Sequence, residues 1–233
     1  GDLDGAAASY EEAVAVLHEM GSTDDEMHLE LQLATLAIRR GDIDAARSVF
    51  EGAWERVESD AGSMEQSMVA IWCGMFEATD GSLERAREMH RIAGERLALV
   101  GPEFPVRNHM AALLGALGVL ICLADGDLEL AASRAAAAYQ AAVASRDMPL
   151  LSAVAGTLTL YVAERGEPER AARMLGAADS ARGHADPTEP MTVRVTARLS
   201  AELGADRFAQ AIASGRALAR PEAIASLDPA ALS

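Results

Sequence analysis

Residues 41–53, GDIDAARSVFEGA, carry the pattern that decides the fold. A glycine, an acidic residue and a run of helix formers is how a second helix starts after a first has turned back, since glycine tolerates the left-handed cap that ends a helix. Alanine stands five and twelve positions after the glycine, at Ala46 and Ala53, with Phe50 between them at nine. The stretch recurs as GDLDGA at Gly1, GSLERA at Gly81, GDLELA at Gly126 and GEPERA at Gly166, in steps of 40, 40, 45 and 40 residues. The paired alanines are Ala6 and Ala13, Ala86 and Ala93, Ala131 and Ala138, Ala171 and Ala178; the positions between them hold Tyr10, His90, Ala135 and Leu175. Small, mostly larger, small on one helical face marks a helix pressed against its neighbours, with alanine where backbones approach closely.

The segments before each glycine share a helical spacing of apolar residues. MHLELQLATLAIRR, MEQSMVAIWCGMFEATD, NHMAALLGALGVLICLAD and LSAVAGTLTLYVAER repeat them every three or four positions and stop at a turn glycine. Each unit therefore reads as an antiparallel helical hairpin, and the chain as all-α with about eleven or twelve helices.

This arrangement resembles the tetratricopeptide repeat, whose second helix carries a glycine-acidic turn and then Ala, an aromatic and Ala at these offsets. The resemblance covers roughly residues 1–185 and is divergent. The first-helix pattern is loosely kept (Glu30, Leu33, Ala34 and Ala37; Ala70, Cys73, Gly74 and Glu77), the closing proline is missing, and the steps exceed the family's ~34 residues. It implies a right-handed superhelical solenoid over residues 1–187, starting inside a repeat and so cut from a longer protein, with capping helices over 188–233. It also implies that the first helices line a concave groove, through His28, Leu31, Thr35, Arg39, Met68, Ile71, Met75, Leu113 and Leu120. That lining is greasy and suits an apolar helix face; the alternative is that curvature or long helices bury these residues in the core.

Composition excludes several functions. A net charge of −16 opposes phosphate-based recognition of nucleic acid. All 20 basic residues are Arg, so neither a P-loop lysine nor a Schiff-base amine exists, and no nucleotide cofactor is expected. The Arg and Ala bias is that of a GC-rich genome, as in actinomycetes. Cys73 and Cys122 lie in apolar stretches and read as buried, reduced thiols. No run approaches the ~18 apolar residues of a membrane span and no secretory signal opens the chain, which points to the cytosol. His18 and His28 flank Asp24, Asp25 and Glu26, a spacing that a helix start capped by Ser22 or Thr23 explains better than a metal site. No catalytic constellation can be assembled, so an all-helical enzyme is the weakest reading.

The closing segment adds a second resemblance. Leu175 to Ala178 with Arg182, then Pro187 and Pro190, Leu203-Gly204, Phe208, Gly215 to Leu218 and Glu222-Ala223 follow the order seen at the end of large actinomycete transcriptional regulators. These are the antibiotic-regulatory activators with BTAD and NB-ARC domains, or the large ATP-binding LuxR-type regulators. The resemblance implies a non-catalytic sensor arm whose partners are the regulator's own upstream ATPase and DNA-binding domains, another protein, or a small-molecule or peptide signal. The alternative is a free-standing scaffold for an unrelated peptide or protein. In the closing segment, Val195 with Leu199 and Phe208 with Ile212 are expected to cover the last hairpin's apolar face, with Phe208 buried.

Overall fold

The computed structural model describes residues 2–59, 62–104 and 106–231, without the side chains of 23–25; it holds twelve α-helices and no strand among them. The chain divides into two compact units, Gly1–Leu99 and Val100–Ser233. The first holds α1 (Leu3–Met20), α2 (Thr23–Arg40), α3 (Ile43–Val57), α4 (Ser63–Asp80) and α5 (Leu83–Leu97). The second holds α6 (Val106–Asp125), α7 (Leu128–Ser145), α8 (Met148–Glu164), α9 (Pro168–Arg182), α10 (Pro190–Leu203), α11 (Ala205–Arg216) and α12 (Arg220–Ser226). In the first unit helices pack chiefly on their sequence neighbours, as α4 does on α5; in the second, α6 packs on α7 and α8 on α9, but α9 packs most closely on α11, two helices further along the chain.

At two tight corners the glycine-acidic dipeptide serves two helices at once; at Gly166-Glu167 the glycine turns the chain but the Glu167 side chain caps nothing. Gly41 is left-handed (φ 83°) and its N–H bonds Ile38 O at 2.9 Å, while the Asp42 N–H reaches back to Ala37 O at 2.9 Å. Those two bonds satisfy carbonyls that a helix end leaves free. The Asp42 carboxylate then accepts the Ala45 N–H at 3.2 Å and caps the next helix. Gly126 and Asp127 repeat the device, with Asp127 N–H to Cys122 O at 2.9 Å and its carboxylate on Leu130 N–H at 2.9 Å. Gly81 departs from it. Its φ is −138°, and Glu77 takes the Ser82 N–H on its own carboxylate at 2.7 Å. The Gly1 corner lies outside the described residues.

The alanine pattern is realised as close packing in α3, α5, α7 and α9. Ala46, Ala53, Ala86, Ala93, Ala131, Ala138 and Ala171 are 0% exposed and Ala178 6%. Phe50, Ala135 and Leu175 between them are buried, and His90 is half-buried. The closeness is direct at Gly115 of α6, where a Cβ would stand 2.8 Å from the Cβ of Ala138. Buried polar groups close the remaining gaps: Ser67 donates to Ala93 O at 2.9 Å, and Gln66 donates to Val57 O at 2.9 Å and Glu58 O at 3.1 Å, the free carbonyl end of α3.

Two expectations need correction. In α1 the register is loose: Ala6 and Ala13 are only half-buried and Ala7 is the buried alanine. This helix packs on α2, and without tight neighbours on two sides it need not hold the small face to a single line. The second concerns α6, which is long and apolar enough to cross a membrane by length and composition, with a mean hydropathy of 1.6. Here it is a core helix, with Met110, Ala112 and the run from Ala116 to Cys122 buried and its main contacts on α7 and α8.

Candidate binding groove between the last helices

The residues of the closing segment organise the end of the second unit. α9 and α11 cross with no side chain between their backbones. A Cβ on Gly176 would collide with the carbonyl oxygen of Ile212 and stand 2.9 Å from its carbon; one on Gly215 would collide with the carbonyl oxygen of Arg173 and stand 2.7 Å from the amide nitrogen of Ala177. Only glycine on both helices permits that approach. Ion pairs flank the crossing, Arg207 with Glu169 at one end and Arg216 Nε with Asp179 Oδ2 at 2.8 Å at the other. Beyond it, Ser180 donates to Leu218 O at 2.7 Å, Tyr139 to Ile224 O at 3.0 Å, and Arg170 to Asp228 O at 3.0 Å, which bind α12 and the tail to α7 and α9.

The loop between α9 and α10 is held as firmly. Gly183 ends α9 at φ 97°. Arg182 pairs with Asp186 at 3.1 Å, Asp186 accepts the Thr188 N–H at 3.0 Å and hydroxyl at 2.7 Å, and the Glu189 carboxylate caps α10 through Met191 and Thr192 N–H. α10 turns the stripe Met191, Val195, Leu199, Leu203 inward, where all four are buried, and packs on α8 and α9.

Its other face and α11 leave a groove of about 930 Å³. Leu175 and Asp179 of α9, Ala185 to Pro187 of the loop, Thr192, Val193, Thr196 and Ala197 of α10, and Phe208, Ala209, Ile212, Ala213, Arg216 and Ala217 line it. A mostly apolar concavity of this size with a few polar groups is of the kind that binds small molecules. Phe208 and Ile212 are therefore only half-buried, as walls of this groove rather than the sealed centre of a cap. A cavity of about 640 Å³ on the other side of α11 is richer in arginine. Two of its guanidinium groups are committed, Arg170 to Glu167 and the carbonyls of Asp228 and Pro229, Arg207 to Glu169.

The nine residues expected to line a concave groove have mixed fates. Leu31, Ile71 and Leu120 are core residues, 0%, 1% and 8% exposed, and offer nothing to a partner. Helices α2, α4 and α6 each pack on two others, so more than one stripe of each is covered. His28 is exposed, and Thr35, Arg39, Met68, Met75 and Leu113 are half-buried. Thr35 spends its hydroxyl on Leu31 O at 3.0 Å. The set is divided between the two units, through Met75 in the first and from Leu113 in the second.

Reactive groups are muted. Burial pushes the Cys73 thiol up to about 12, and the thiol donates to Phe50 O at 3.4 Å; burial also raises Cys122. Both are free thiols. His18 meets Glu26 at 3.3 Å, whereas the side chains of Thr23, Asp24 and Asp25 lie outside the described residues. Among the described residues, no group of three or more His, Cys, Asp or Glu side chains could hold a metal ion. No protein-family model matches the chain, and no curated protein matches it.

Proposed function

We propose that this chain is a non-catalytic interaction and regulatory arm of a multidomain cytosolic transcription regulator of the actinomycete type. In this reading its hairpins stack as divergent tetratricopeptide-like repeats in a right-handed superhelix, with α10 to α12 as the capping helices. It docks on the regulator's ATPase core, a partner protein or a signal molecule. The observation that carries the reading is the contact between the two most distinctive parts of the closing segment: Leu175–Ala178 and Gly215–Leu218 meet through Gly176 and Gly215. Residues that resemble the regulators only as an ordered series thus support one another as neighbours in space. The buried alanine pattern supports the repeat half of the reading. The test is the coding sequence in frame ahead of Gly1. A P-loop followed by NB-ARC-type motifs is the expected result; an unrelated domain, or a start codon there, contradicts the proposal.

A further inference from the structure

The groove between α10 and α11 has two unlike ends. α10 leaves the 183–189 loop and α11 returns toward it, so the first turn of one and the last turn of the other meet at the loop end. There lie Thr192, Asp186, and Arg216 paired to Asp179. The far end holds Ala197, Phe208 and Ala209. At the loop end Arg216 pairs with Asp179, and Asp186 with Arg182 behind the groove wall. Unused donors remain: Arg216 commits only Nε, and the hydroxyls of Thr192 and Thr196 have no protein partner among the described residues.

We infer that this groove binds a small uncharged amphiphile, its carbonyl-type acceptor at the loop end and its apolar body along Val193, Phe208 and Ile212. A charged head is disfavoured at either sign. A cation finds both lining carboxylates already paired, and an anion meets those two carboxylates, Asp179 and Asp186, against the single lining cation Arg216 on a chain of charge −16. A neutral acceptor can take N–H and O–H donors that no protein group uses, in place of water, and its apolar body covers the exposed parts of Val193 and Phe208. This inference goes beyond the regulatory reading and does not rest on it.

Calorimetric titration of the full chain with octanamide, octanoate and octyltrimethylammonium tests it. Octanamide should bind saturably at one site, about tenfold or more tighter than the cation and tighter than octanoate. Thr192→Val should weaken it by about fivefold to tenfold, the worth of one neutral hydrogen bond. Ala213→Trp should abolish binding by filling the groove; Ala213 is exposed, so the melting temperature should not change, and Ala209→Trp replaces it if it does. The inference is overturned if octanamide shows no saturable binding, if Ala213→Trp or Ala209→Trp binds it as well as the parent, or if the cation binds equally. It is also overturned if the groove closes on a second copy of the chain, seen as a concentration-dependent dimer that Ala213→Trp disperses.

Discussion

At the scale of single residues, the buried alanines carry the fold's most testable demand. Ala46 and Ala131 have no exposed surface and sit where helices approach closely, so leucine at either must force neighbours apart. Ala46→Leu and Ala131→Leu should each destabilise by about 1–3 kcal/mol in thermal or urea melts. Ala8→Leu, on the exposed side of α1, should change stability by less than about 0.5 kcal/mol. Ala7, equally outside the alanine register, is unsuitable as that control because it is buried. The register was legible in the sequence because it repeats a local rule, small residues five and twelve positions after a turn. Its failure in α1 was not, because which alanine is buried depends on the helices that flank it.

At the scale of helices, corners and crossings differ in how plainly the sequence announces them. A corner such as Gly41-Asp42 is built from residues within a few positions of one another, so its glycine and its capping acid stand side by side in the chain. The α9–α11 crossing joins Gly176 to Gly215, and no local pattern links them; the ordered motifs of the closing segment hinted at their importance without giving the contact. The groove was less legible still. Phe208 and Ile212 show the four-residue spacing of a buried face, yet the close glycine contact seats α11 on α9 so that this pair faces the groove. The same substitution should therefore have opposite signs at two helical glycines. Gly215→Ala should destabilise by about 1–3 kcal/mol, since its Cβ meets backbone atoms that cannot yield without parting the helices. Gly52→Ala in α3, where a Cβ would meet nothing within 4 Å, should stabilise by about 0.5–1 kcal/mol through helix propensity. Urea melts of the two variants check both signs.

At the scale of the whole molecule, the charge of −16 and the lack of lysine make nucleotide or DNA binding by this chain alone physically unfavourable. Calorimetry with ATP and a gel shift at physiological salt should both be negative, and micromolar affinity in either would count against the proposed division of labour with an ATPase core. The central claim concerns how stability is distributed. In the first unit, where helices pack chiefly on sequence neighbours, damage should pass only to those neighbours, unlike a single shared core. Native-state hydrogen exchange on the parent chain and Ala46→Leu tests this most directly. The account predicts lost protection in α2 to α4 with α9 to α11 unchanged; an equal loss of protection in α9 to α11 would contradict it.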